Sequence, residues 1–280
     1  MTLPLKILQP MEIGENHQEV LYKVPEITLL FWVVKLLTTA MGEATSDYLV
    51  SHINPYLAVL TGAFVFLFSV ILQFSVKKYI AWVYWFVVAM VSVFGTMVAD
   101  SIHVALGIPY VVTTPAFLAM LIAIFVMWKK SENTLSIHSI YRPRREMFYW
   151  AAVLATFALG TAAGDMTASS LDLGYFISGV LFSILFLLPG LAYRFLRANP
   201  ILAFWLSYIM TRPLGASFAD WADKPKRFGG LGYGTALVSV SLTAAIIACV
   251  TYMALSRKED PNRSPQSAAF GDQEVPSEEV

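Results

Sequence analysis

The stretch WVVKLLTTAMGEATSD, residues 32–47, contains Trp32-x9-Gly42-x4-Asp47, and the same spacing returns three times. Trp85, Gly95 and Asp100 form the second copy, Trp150, Gly160 and Asp165 the third, and Trp205, Gly215 and Asp220 the fourth. Self-similarity at a repeated spacing fixes an architecture before any single residue is interpreted. The chain therefore reads as four tandem units.

Around the motifs the composition is 57% hydrophobic and only 14% charged, with a mean hydropathy of +0.63. Such a chain is too apolar for an ordinary soluble protein and reads as an integral membrane protein. A hydrocarbon core of about 30 Å needs about 20 apolar residues of helix. Eight stretches qualify: Ile27 to Val50, Tyr56 to Val76, Ile80 to Leu106, Val111 to Trp128, Met147 to Leu171, Tyr175 to Tyr193, Ile201 to Ala222 and Gly234 to Leu255. Each motif lies on an odd-numbered helix and is followed by a short turn, Pro55-Tyr56, Pro109-Tyr110, Gly174-Tyr175 or Gly232-Tyr233. The expected fold is all-α, with eight transmembrane helices arranged as four parallel two-helix repeats in a pseudo-symmetric bundle.

The expected divisions are an N-terminal cytoplasmic segment (1–25), a membrane domain (26–256) with repeats at 26–78, 79–130, 146–198 and 199–256, a cytoplasmic linker (131–145) and a disordered acidic cytoplasmic tail (257–280). Residues 1–25 lack the basic start and continuous apolar core of a signal peptide. Lys77, Lys78, Lys129, Lys130, Arg142, Arg144, Arg145, Arg194, Arg197, Arg257, Lys258 and Arg263 fall on one side, against Lys224, Lys226 and Arg227 on the other. Lys and Arg collect in cytoplasmic loops. Both termini are thus expected inside, with the motif helices running outward. His138, in the long polar linker, reads as solvated. The lone Cys249 excludes an intramolecular disulfide and reads as a packing or lipid-facing residue.

Each motif Trp lies near the inner start of its helix, where an aromatic belt accounts for it. Trp and Asp are 15 residues apart, about 22 Å along the axis and about 60° around it. They share a broad face, so the tryptophans are also placed to line the inner end of a path to the aspartates. Gly42, Gly95, Gly160 and Gly215 suit close helix contact. An ionisable side chain inside a membrane helix costs at least about 2.5–3.5 kcal/mol. Asp47, Asp100, Asp165 and Asp220 are therefore expected to converge on a central cavity, where like charges need protons or a cation; capping at the outer interface is the alternative. Glu43, His103 and Asp223 lie three or four residues from a motif Asp, on the same helical face, and are candidate further ligands. Lys35 is placed to snorkel to the inner interface. Arg212, followed by a helix-bending or helix-breaking Pro213, is a candidate gate or structural ion-pair partner.

With these motifs the chain resembles a family of bacterial membrane proteins built from four tandem two-helix repeats marked by a tryptophan. Its members are described as membrane-anchored proteins of unknown function. The resemblance covers residues 26–256, implies a bacterial inner-membrane location and supplies no substrate.

Carboxylate oxygens with imidazole help suit hard cations such as Mn²⁺ or Mg²⁺, and His103 keeps Zn²⁺ open. The leading expectation is a metal transporter, with Mn²⁺ first, working by export or proton exchange. Protons or monovalent cations are alternatives for the same cluster, and a membrane scaffold with structural carboxylates is the alternative from another class. No His-Glu-x-x-His, Ser-His or Cys-His arrangement marks an enzyme, and no permanently bound cofactor is expected. A net charge of zero gives no reason to expect nucleic acid. Lipid and a small inorganic cation are the expected partners, and an oligomer is left open.

Overall fold

A computed structural model of the protein describes residues 23–140 and 142–256. The readings of residues 1–22 and of the tail from 257 onward lie outside the described residues. Among the described residues there are eight α-helices: α1 (Leu29–His52), α2 (Pro55–Ser75), α3 (Ala81–Leu106), α4 (Tyr110–Glu132), α5 (Pro143–Asp165), α6 (Gly174–Leu196), α7 (Pro200–Asp223) and α8 (Thr235–Ser256). No strand occurs among the described residues. α5 continues as one π-wound turn, Met166–Ser170.

The helix starts follow local chemistry. Asn54 caps α2, its side-chain oxygen accepting from the amides of Tyr56 and Leu57, and Pro55 opens the helix without losing a needed donor. Asn199 and Pro200 do the same for α7. α3 stops at Gly107, whose φ of 66° is the left-handed conformation that glycine adopts freely. Several ends differ from the apolar reading, among them α4, which continues to Glu132, beyond Trp128, α5, which begins at Pro143, before Met147, and α6, which runs on to Leu196, past Tyr193. Hydropathy marks the part of a helix that suits hydrocarbon, whereas backbone hydrogen bonding carries the helix on into polar ends.

α1, α3, α5 and α7 form an inner ring in which each packs on the next and α7 returns to α1. The even helices stand outside, α2 against α3, α4 against α5, α6 against α7 and α8 against α1. Each outer helix therefore packs chiefly on the motif helix of the following repeat. Six helices, α2 to α6 and α8, are long and apolar enough to cross a membrane, as befits a multi-pass membrane protein. Buried residues make up 61% and 72% of the apolar spans of α3 and α5 but only 17–22% of those of α2, α4, α6 and α8, which separates a central ring from a lipid-facing shell. α1 and α7 fall outside the six, carrying Lys35, Glu43 and Asp47, and Arg212, Asp220 and Asp223.

Several sequence expectations are corrected here. Trp85, Trp150 and Trp205 are buried inside the ring rather than forming a lipid-facing belt. They pack with Phe31, Tyr84, Tyr149 and Phe204 as an aromatic layer, and the Trp205 indole donates to the Leu135 carbonyl at 2.9 Å. Only Trp32 is partly exposed. The shared face of Trp and Asp turns toward the axis, which carries the tryptophans inward. Pro213 does not break α7, which is continuous from Pro200 to Asp223. The linker is anchored rather than simply solvated: Ile137 and Ile140 are buried, Arg145 pairs with Glu132 at 2.8 Å, and only the His138 part of the reading matches, since that side chain is exposed.

Candidate functional site

The ring is built on the four glycines. A Cβ on Gly42 would strike Ser92, on Gly95 Phe157, on Gly160 Arg212 and on Gly215 Thr39. Each partner stands three residues before the glycine of the next repeat, and the fourth contact returns to the first helix. Absent side chains thus let the backbones approach in the same way four times. The consequence is a pseudo-fourfold axis onto which equivalent positions of the repeats converge.

Arg212 lies across that axis. Its Nη2 donates to Glu43 Oε2 at 2.6 Å, to Thr161 Oγ1 at 2.8 Å and to Thr96 Oγ1, while Nη1 donates to the Thr39 carbonyl. Glu43, Thr96 and Thr161 each follow the glycine of their own repeat, so one guanidinium from α7 joins the other three ring helices. Both members of the Arg212–Glu43 pair are buried. Such a pair needs every donor and lone pair well placed to offset its desolvation.

Immediately beyond this pair the aspartates meet. Oxygens of Glu43, Asp165 and Asp220 lie within 4.8 Å of one another, as do those of Glu43, Asp47 and Asp100, and those of Asp47, Asp220 and Asp223. The three groups overlap through Glu43, Asp47 and Asp220, making one cluster of six carboxylates drawn from all four repeats. Asp220 and Asp223 are buried, and both Asp223 oxygens lack a hydrogen-bond partner. Asp47, Asp100 and Asp165 are half-buried.

Lys224 ion-pairs with Asp47 and with Asp220, the latter at 3.4 Å. Burial disfavours its charge, but Asp220 and then Asp47 outweigh burial and hold the ammonium above its ordinary pKa. Tyr110, the first residue of α4, donates to Asp100 at 3.2 Å. Neither residue was singled out in the sequence as part of the site. The Tyr110 signal was the aromatic that follows every motif turn, although Tyr56 and Tyr233 at equivalent positions are exposed. His103 is absent from the close carboxylate groups; its Nδ1 is 2.9 Å from the Ile108 carbonyl and its ring stacks on Tyr110.

Lys35 does not snorkel. It is 1% exposed, and its Nζ lies 3.9 Å from the Phe157 ring centre and 4.0 Å from that of Tyr208. Two apolar crevices of about 580 and 540 Å³ open on the flank of the bundle, one between α4 and α7 and one among α1, α6 and α7. No motif aspartate lines either.

Searches of curated proteins and of solved structures return no match. A repeat family described as "Repeat of Unknown Function (DUF347)" matches residues 30–79, 83–134, 148–199 and 203–259, one match for each motif copy. With four matches covering most of its length, the chain belongs to this family of tandem repeats.

Proposed function

We propose that the protein is a membrane transporter for a hard divalent cation, with Mn²⁺ the first ion to test, working by export or in exchange for protons. The observation that carries this reading is the convergence of one motif carboxylate from every repeat, with Glu43 and Asp223, on the axis of the bundle. Six carboxylates adjoin two ion-paired cations, Arg212 and Lys224, so full ionisation leaves six minus two, or four, negative charges to balance. Oxygen donors without thiolate or imidazole in the cluster favour Mg²⁺, Ca²⁺ or Mn²⁺ over softer ions. Mg²⁺ dehydrates reluctantly and keeps several waters. Many converging protein carboxylates therefore favour Mn²⁺ over Mg²⁺.

In this reading α1 and α7 also cross the bilayer. Each has 24 residues, about 36 Å of helix, and turns its charges toward the axis while outer helices screen it from lipid. The Lys and Arg distribution supports cytoplasmic termini in a bacterial inner membrane, with the cluster in the outer half. Arg212 occupies Glu43 when no metal does, and the aromatic layer closes the inner end of the path.

Vesicles containing the purified protein test the reading by metal uptake and efflux, native chain against an Asp100→Asn, Asp165→Asn double variant that still folds. Native protein is expected to move Mn²⁺, with Mg²⁺ and Ca²⁺ as competitors, and the variant to lose at least about tenfold in rate, since one order of magnitude is 1.4 kcal/mol of interaction. Failure of the native protein to move any cation or proton would defeat transport. The scaffold reading draws on the Arg212–Glu43 and Lys224–Asp47 pairs, which tie α1 to α7 and its following loop. It gains if aspartate variants lose stability and no flux exists to lose.

A further inference from the structure

Lys35 is a buried cation outside the carboxylate cluster and, unlike Lys23, which pairs with Glu146 at 2.6 Å, it makes no ion pair among the described residues. Its Nζ has no hydrogen-bond partner, although a buried ammonium ordinarily demands acceptors. From α1 the side chain reaches Phe157 on α5, the helix diagonally opposite in the ring, and so crosses the axis. Arg212 approaches the same Phe157 ring, its Cζ 5.5 Å from the centre. Along the axis, from the carboxylates toward the Trp end, the order is therefore Glu43, Arg212 and then Lys35.

The groups facing Lys35 are few. α7 contributes Arg212 and Tyr208, whose hydroxyl neighbours that of Tyr149. Nearer the Trp end, α3 and α5 contribute the Tyr84–Tyr149 hydroxyl pair. α8, packed on the outside of α1, carries no charged side chain. Among the described residues no carboxylate pairs with the ammonium, and burial readily changes how strongly a lysine holds its proton.

We propose that Lys35 is the proton-carrying residue that couples cation movement along the axis to proton movement. This rests on the transport reading above. A dication entering the carboxylates competes with Arg212 for Glu43, and the freed guanidinium and the metal together repel the ammonium through a dry interior where charges interact strongly. Lys35 then gives H⁺ to water that enters with the hydrated cation as its –NH₃⁺ becomes –NH₂, and the amine takes a proton back from water when the cation leaves. One proton leaves and one returns per cycle.

Two variants separate this role from a structural one. Lys35→Met is permanently neutral and Lys35→Arg permanently charged, so a packing role is rescued by the first and a charge role by the second. Proton release on adding Mn²⁺ to weakly buffered, detergent-solubilised protein is measured together with Mn²⁺ and H⁺ flux in vesicles. Metal binding releases protons from its linked groups, and both variants are expected to release about one fewer per bound Mn²⁺ than native protein. Both are also expected to lose metal-driven H⁺ flux while still binding Mn²⁺. Equal proton release and unchanged coupled flux in either folded variant overturn the assignment while leaving transport standing. A native protein that neither binds nor moves a cation overturns the transport reading and this proposal with it.

Discussion

At the scale of single residues, the site is governed by two cations supplied by the chain itself. Arg212 pairs with Glu43 and donates to two threonine hydroxyls and the Thr39 carbonyl, and removing one partner of a buried pair leaves the other charge stranded. Arg212→Met is expected to cost about 3–5 kcal/mol in thermal unfolding, and pairing it with Glu43→Gln to recover much of that loss. A double variant as unstable as the single one would mean that the threonine contacts, not the ion pair, dominate. Lys224 pairs with Asp47 and Asp220, so in the proposed transport reading it competes with the metal for both. Lys224→Met is expected to tighten Mn²⁺ binding by about tenfold, whereas Asp223→Asn weakens it, as titration calorimetry would read; these directions follow from removing a cation or a ligand beside the metal. Because the folded-state pKa of Lys224 is raised, its stabilising contribution is present below the ordinary lysine value and fades only as pH rises through the folded one. Native unfolding between pH 7 and 9 should thus show no loss traceable to Lys224, which a matched Lys224→Met scan checks.

The helices carry a second level of information, in which register matters more than residue type. Gly160 accepts the Arg212 side chain and Pro213, whose Cδ would be 2.8 Å from an added Cβ, while Gly190 on α6 has nothing within 4 Å of that position. Overpacking a tight contact costs about 1–3 kcal/mol. Gly160→Ala is expected to fall in that range and to weaken the Arg212–Glu43 pair, whereas Gly190→Ala should be neutral or stabilising by up to about 1 kcal/mol, the helix-propensity difference. Equal effects in thermal melts would contradict the ring packing. The spacing of Trp, Gly and Asp was enough to place the three on one helical register. Which way that register turned was not legible, because an aromatic belt and an aromatic interior use the same residues. Lys35 shows the same limit: a long side chain near a helix end is free to reach water or to cross an axis, and neighbouring helices decide between them.

For the whole molecule, the significant feature is closure. Every outer helix leans on the next repeat, and α8 completes the circle by returning to α1, where the hydroxyls of Thr45 and Ser239 are 2.6 Å apart. Cysteines at both positions, in a Cys249→Ser background, are expected to cross-link within one chain under mild oxidation without loss of helicity. Intermolecular dimers as the main product on denaturing gels would instead indicate that α8 pairs with another copy. The sequence by itself determined the repeat, the all-helical character, the membrane-like composition and the four aspartates at matching positions, because periodicity and hydropathy are local properties of a chain. It also singled out Glu43, Asp223 and Arg212 through their offsets from the motif. Only the tertiary structure decided that Arg212 binds Glu43, that His103 falls outside the close carboxylate groups, that Lys224 and Tyr110 join them, and that the buried Lys35 reaches across the ring without a hydrogen-bond partner among the described residues. Those outcomes depend on how four helices from distant parts of the chain rotate about a shared axis, and that rotation is set by the close glycine contacts between repeats, which no single repeat contains.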